Sequence, residues 1–575
     1  MRLRNAWWSV ALLALAASAP RVARANGLEL LPGGTQSVSR GGAVAARPEN
    51  GMALEQNPAG LALLPGGMFT LNVDYAMQDM CEDPYGYYGW GTYQVGASEF
   101  AADPLKLEGS THPEIDATYA TTRLPRVCNS GRSVPVPNIA WVFKLGRDLA
   151  LSAGFVAPTV VTGLQFGGAD GTISVKVGDQ VRGFPTPTRY QLIRQEVKFA
   201  LVPSAGFGYR LLSWLQVGAM LQVGMLRAES RAIVNGASGT QPSTDWLTDL
   251  DAHDYFVPSV TASVNATPLP QLDLMAAFRW VDNFDGSGTV TYTTNTFHEG
   301  ATSGPIPFKN DAIKLDQVEV KAPWTLTVGA RYAGLLADAD SAERRGPGDP
   351  MDRELWDIEV DSAYNFNRRA SESAVRAGED VTLISREVGG GGDTQSYQDL
   401  ETIRLDHHGR DSIVVRLGGS FSVVPRRVAL DAGAFYETRG VDPAYANIDS
   451  FSFARLGLGL GGVVRVGAFD IMAGYGHIFE ETVDVAPPPH ELLQKSVPGD
   501  PTSGFDQRVG VDDNDPSGGV VLRDPSAPSP ARADAVAKLQ QSAAISTKAR
   551  PARVVNAGKY TASFDVLSAG LVYHF

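Results

Sequence analysis

The chain closes on Phe564–Phe575, FDVLSAGLVYHF. Counted back from Phe575, every second residue is apolar: Tyr573, Leu571, Ala569 and Leu567. His574, Val572, Gly570 and Ser568 fall between them. Side chains along a strand alternate between two faces. The segment therefore predicts a strand with one apolar face and one small or mixed face. The edge of a soluble sandwich tolerates such a strand. A membrane barrel requires it, because its outer face meets lipid while its lumen can be polar.

The other end of the chain bears on that choice. Residues 1–25, MRLRNAWWSVALLALAASAPRVARA, have a positive start at Arg2 and Arg4, an apolar stretch from Trp7 to Ala19, and the small-residue site Ala23-Arg24-Ala25. This pattern predicts a cleaved secretory signal. Removing its four arginines (Arg2, Arg4, Arg21 and Arg24) takes the formal charge from −14 to −18. So acidic a chain argues against nucleic acid as a partner. After the leader no run of apolar residues is long enough for a membrane-spanning helix. Crossing a membrane then requires a closed barrel, because hydrocarbon offers no partner for unpaired backbone groups.

Alternation recurs along the chain. In LWDIEVDSAYNF, Trp356, Ile358, Val360, Tyr364 and Phe366 share one face, and Asp357, Glu359, Asp361 and Asn365 the other. The same template predicts about 14 strands. They fall near 68–79, 135–146, 148–160, 196–211, 213–229, 256–268, 271–283, 317–333, 354–367, 410–424, 427–440, 451–466, 468–484 and 559–575. Long connections, including 80–134 and 485–558, alternate with tight ones such as GRD and PRR. That is the rhythm of extracellular loops and periplasmic turns. The sixth tight position is the exception, being filled by the long GLLADADSAERRGPGDPMDRE. The fold class expected is all-β: a transmembrane antiparallel barrel formed by residues 68–575. Cys81 and Cys128 fall in the first long loop, where an exported chain with an even cysteine count is expected to pair them.

Residues 26–67 are Gly- and Ala-rich and lack strand alternation. They hold SRGGAVAA, with Arg40, Gly41, Gly42 and Ala43, and then NPAGLALL, with Asn57, Pro58, Ala59, Gly60 and Leu61, just before the first strand. This order resembles the start of the FadL/TodX family of outer-membrane transporters of long-chain fatty acids and hydrocarbons. VPVPNIAWVFKLGRDLALSAGFVAPTVVTG is similar to that family's second and third strands, and GKYTASFDVLSAGLVYHF to its closing strand. The resemblance implies a 14-stranded barrel in a Gram-negative outer membrane, with residues 26–67 as an N-terminal hatch plugging the lumen. It implies uptake of hydrophobic small molecules, long-chain fatty acids foremost. Capture would be by the loops, and exit sideways through a gap at a kinked third strand. Gly154 and Pro158 are the candidates for that gap, since glycine weakens a strand and proline cannot donate to its ladder.

The residues also leave other readings open. Lys321, Arg331 and Arg416 are placed on lumen faces opposite Asp357, Glu359 and Asp361. They predict either a wall scaffold of ion pairs or a site for a carboxylate head group. No nucleophile elbow, zinc helix or phosphate loop is present in the sequence. No enzyme activity, cofactor or metal is therefore expected, and the partners expected are hydrophobic compounds and outer-membrane lipid around a monomer. The alternatives are a structural or adhesive barrel acting through its loops, and a barrel lipid hydrolase.

Overall fold

The computed structural model describes residues 29–85, 123–234, 246–294, 312–339, 347–378, 403–448, 452–485 and 556–575, apart from positions 47 and 178, together with short strands within 381–397 and 509–522. The proposed leader, most of the 485–558 loop and residues 86–122 of the first loop lie outside them.

Fourteen strands close one antiparallel wall. In chain order they are β1 (Met68–Pro84), β2 (Val136–Leu145), β3 (Leu149–Phe155), β4 (Pro203–Leu212), β5 (Leu215–Val234), β6 (Trp246–Leu269) and β7 (Leu272–Val281). β8 (Thr325–Leu335), β9 (Glu354–Asn365), β10 (Ser412–Val424), β11 (Val428–Glu437), β12 (Arg455–Val466), β13 (Phe469–Glu480) and β14 (Gly558–His574) complete it. β14 closes on β1 along its whole length, from Met68 opposite His574 to Pro84 opposite Gly558.

The alternation read from the sequence is the alternation of lipid and lumen. On β9, Ile358 is 52% exposed and Val360 46%, while Asp357, Glu359 and Asp361 between them are buried. Leu458 and Leu460 on β12 and Leu567 on β14 continue the apolar exterior. Aromatic pairs border this belt: Tyr332–Trp356 and Phe469–Tyr573 at one rim, Phe278–Trp324 and Tyr364–Phe366 at the other. A closed barrel with an apolar, aromatic-edged outside is a transmembrane barrel.

Four expected strands differ. The segment 196–211 is two strands, Arg194–Leu201 and Pro203–Leu212, which pair with the upper and lower parts of β5. Pro203 has no N–H to continue the ladder. The segment 317–333 is likewise split around Lys321–Trp324, a stretch holding Pro323. The third strand leaves the wall at Val156. In the first strand the ladder runs on to Pro84, so Cys81 sits in β1 rather than in the loop.

Residues 29–67 lie inside the barrel and are almost wholly buried. They run through a short helix, α1 (Thr35–Ser39), a second, α2 (Ala53–Gln56), and a 3-10 turn at Pro58–Leu63. The wall admits this backbone at glycines. Gly418, Gly433 and Gly459 stand side by side across β10, β11 and β12. A Cβ on Gly418 or Gly433 would lie 2.5 or 2.0 Å from the Arg40 carbonyl oxygen, and one on Gly459 2.2 Å from that of Val38. Gly218 gives the same room to Ala59.

Candidate functional site

The lumen segment is held by inward polar groups of the wall. Arg40, 2% exposed, donates to Asp357 at 2.6 and 3.1 Å, to Glu359 at 3.1 Å, to Ser420 at 2.7 Å and to its own turn at Ala43. Burial alone would lower its pKa, but the Asp357 and Glu359 carboxylates hold it above the ordinary arginine value. Gly41 follows at a φ of +60, with a Cβ position 2.6 Å from Ala434 N. A side chain there would be strained and blocked. The Val44 and Ala45 amides then donate to Asp361, and the Ala46 amide to Glu359. Buried ion pairs of this sort repay their desolvation only partly, but they fix one geometry.

Asn57 is fully buried. Its amide nitrogen donates to the Ala45 carbonyl at 2.8 Å and to Asn265 of β6 at 3.0 Å, and its oxygen accepts from Gly60 N at 3.3 Å. Pro58 starts the 3-10 turn, where its missing N–H costs nothing. The Ala59 amide donates to Ser263 at 2.8 Å. Asn57 thus ties the two halves of the lumen segment to each other and to the wall.

The three basic candidates separate. Lys321 lies in the break between strands, bonded to Glu372 at 2.6 Å, away from the other two. Its expected lumen position depended on an unbroken strand. Arg331 is 1% exposed and paired with Glu354 at 2.8 Å, Asp357 at 3.0 Å and Glu49 at 3.3 Å through its terminal nitrogens, while its Nε has no hydrogen bond among the described residues. The Arg416 side chain has no hydrogen bond or ion pair among the described residues and its Nε is buried without a partner, with Asp361, Glu437 and Glu29 near enough to act on its charge. It faces a cavity of about 130 Å³. Leu30, Leu31, Val44 and Val414 give that cavity apolar surface, and Arg279, Arg455, Glu29, Glu55 and Glu437 charge it. Arg455 is already matched to Glu437 at 2.6 Å.

Pro158 lines the same cavity. Gly154 sits in β3, where a Cβ would come 2.0 Å from the Ile139 carbonyl oxygen. Pairing of β3 with β2 and β4 stops at Phe155. Val156, Thr159 and Val161 are buried, and Thr159–Val160 pairs with Glu29–Leu31 of the lumen segment. Wall bonding resumes at Thr162, whose carbonyl accepts from Val197 N at 3.0 Å. The wall is therefore interrupted where the third strand turns inward. Pro135, Pro137 and Pro203 lie around the interruption, each lacking an N–H that a strand edge facing lipid would struggle to satisfy.

The structure joins Cys81 to Cys128. The short strand Val127–Cys128 is thereby fastened to β1. From there the Ser130 amide reaches the Gln165 carbonyl at 2.8 Å, above the interruption. At the opposite end, residues 347–353 of the long sixth connection lie over the barrel mouth. Its Gly348 amide donates to the Leu63 carbonyl at 2.9 Å, and its Asp349 pairs with Arg465 of β12 at 2.5 Å.

No family model and no curated protein matches the sequence. Solved structures do. The crystal structure of a Pseudomonas aeruginosa FadL homologue is 13% identical, with 96% of this chain and 100% of that chain covered at a TM-score of 0.57. The toluene transporter TodX of P. putida is 13% identical, with 95% and 99% covered at a TM-score of 0.52. The chain has the FadL/TodX fold. At this identity the likeness is one of architecture; the barrel's own geometry displays a filled lumen, an inward third strand and a cavity between them.

Proposed function

We propose that this protein is an outer-membrane channel for hydrophobic compounds in a Gram-negative bacterium, with long-chain fatty acids as its substrate class. Residues 26–67 act as its hatch, and the interruption beside β3 is its side exit. One observation carries the reading: the cavity is bounded at once by the hatch, by Pro158 of the inward strand and by the unpaired Arg416. Its apolar surface suits an alkyl chain. A guanidinium with no ion pair among the described residues suits a carboxylate, to which it can offer two parallel donors. Arg331 and Lys321 have acids of their own and act as scaffold. The TodX likeness keeps neutral aromatic hydrocarbons as the competing substrate.

The test is binding of labelled palmitate and of labelled toluene to purified protein and to its Arg416→Gln variant. Loss of a buried charged hydrogen bond is worth about 1.5–3 kcal/mol, or roughly 10- to 150-fold in affinity. Palmitate should weaken by that factor and toluene hardly at all. Tight toluene binding with no palmitate binding would replace the substrate class while leaving the channel. Binding of neither would favour a structural barrel.

A further inference from the structure

Asp74 of β1 carries a carboxylate that is 1% exposed and has no ion-pair partner among the described residues. Its hydrogen bonds come from three parts of the molecule. Oδ2 accepts from the Gly34 amide of the lumen segment at 2.9 Å, from Asn138 Nδ2 of β2 at 3.1 Å and from the Thr159 hydroxyl of the inward strand at 3.2 Å. Oδ1 accepts from the Ser568 hydroxyl of β14. Asn138 in turn accepts the Ala157 amide at 2.7 Å. The inward strand thus hangs from this carboxylate twice, directly at Thr159 and through Asn138 at Ala157. The lumen segment hangs from it at Gly34, whose φ of +100 suits glycine.

A buried carboxylate is stable only while its acceptor sites are filled. Here three donors share one oxygen, so loss of one changes the hold on the others. We propose that Asp74 is the joint between hatch and side exit: displacement of the hatch at Gly34 loosens Thr159 and Ala157, and the wall interruption widens. The use of this joint rests on the side-exit reading, but the coupling is testable without transport. The direct pairing of Glu29–Leu31 with Thr159–Val160 is the competing link.

The native cysteines are bonded to each other, so an Ala157→Cys variant offers a single free thiol on the inward strand. Its labelling by a water-soluble maleimide is measured with and without Asn57→Ala, which loosens the hatch at a distance from Asp74. With Asp74 present, Asn57→Ala should raise the labelling rate by at least about fivefold, the low end of site-to-site coupling. Asp74→Asn keeps one acceptor oxygen for Gly34, Asn138 and Thr159, and its amide nitrogen can donate to the Ser568 hydroxyl in place of accepting from it, so it should behave alike. In Asp74→Ala the rate should start high, with Asn57→Ala adding less than about twofold. If that variant fails to assemble, Thr159→Val combined with Asn138→Leu, which removes both arms to the inward strand and leaves the carboxylate in place, is used instead with the same expectation. An equal response to Asn57→Ala in the Asp74→Ala background, or in the Thr159→Val, Asn138→Leu double variant, would overturn the joint and leave strand pairing as the link. So would an Asp74→Asn protein that behaves like Asp74→Ala. Intact coupling without any change in palmitate uptake would instead count against the side exit.

Discussion

Replacing Asn57 by alanine removes a side chain that makes three hydrogen bonds in a fully buried place. The bonds are not equal. The Gly60 amide also donates to the Asn57 backbone carbonyl at 2.8 Å, so it keeps a partner. The Ala45 carbonyl and the Asn265 side-chain oxygen lose the donor they share. Each buried group left unsatisfied costs about 1–3 kcal/mol, and some relaxation is expected, giving about 2–4 kcal/mol against the seated hatch. That corresponds to a shift of roughly 30- to 1,000-fold toward displaced conformations. The wall loses none of its ladder bonds. Heat-modifiable migration should therefore stay intact, while hydrogen exchange of the amides in 35–64 should accelerate by at least an order of magnitude. Unchanged exchange in 35–64, or a barrel that fails to assemble, would refute the assignment of Asn57 as the tie across the hatch.

Three further outcomes follow from the same geometry. Gly433→Ala places a Cβ 2.0 Å from the Arg40 carbonyl, so protease should cut within 35–46 of a barrel that is still folded; resistance equal to wild type would mean the hatch is not pressed against this strand. Burial pushes the Glu55 and Glu49 carboxyls up to about 7, against the pull of Arg279 on the first and of Arg331 and Arg40 on the second. Since these values lie above the free glutamate pKa, the seated hatch holds extra protons and should lose stability as pH rises from about 4.5 to about 7; small-solute leakage from proteoliposomes should be greater at pH 8 than at pH 5, and a flat or reversed profile contradicts this. Arg465→Ala removes the partner of Asp349, Asp352 and Asp470, and should expose the sixth connection to protease without altering the wall; an unchanged digest would show that the Gly348–Leu63 bond alone holds it.

The barrel was legible because its signal is local. Alternation between lipid and lumen is written into each strand, as in Trp356 to Phe366, and the glycine- and alanine-rich start is a segment that must lie close to other backbone. The breaks were half legible. Pro158, Pro203 and Pro323 are visible in the sequence, yet whether a proline ends a strand, splits it or turns it inward depends on what receives the freed backbone. For the third strand the receiver is Glu29–Leu31, more than a hundred residues away. The charges show the same limit. Lys321, Arg331 and Arg416 look alike as basic residues near lumen strands, and only the folded positions of Glu372, Glu49 and Glu354 separate the two that have ion pairs from Arg416, which has none among the described residues. Asp74 reads in sequence as one more inward polar residue after Thr70 and Asn72. Nothing local marks it as the meeting point of Gly34, Asn138 and Thr159.

Photo-crosslinking with a diazirine-bearing fatty acid, on protein in outer-membrane vesicles, is the most direct test of the transport reading. Adducts mapped by mass spectrometry should fall on Leu30–Pro32 and Val414 around the Arg416 cavity, and on Phe155 and Leu201 beside the interrupted wall. Unlabelled palmitate should compete with them. Adducts spread evenly over the lipid belt, with none in the cavity and no competition, would contradict a substrate path through this barrel.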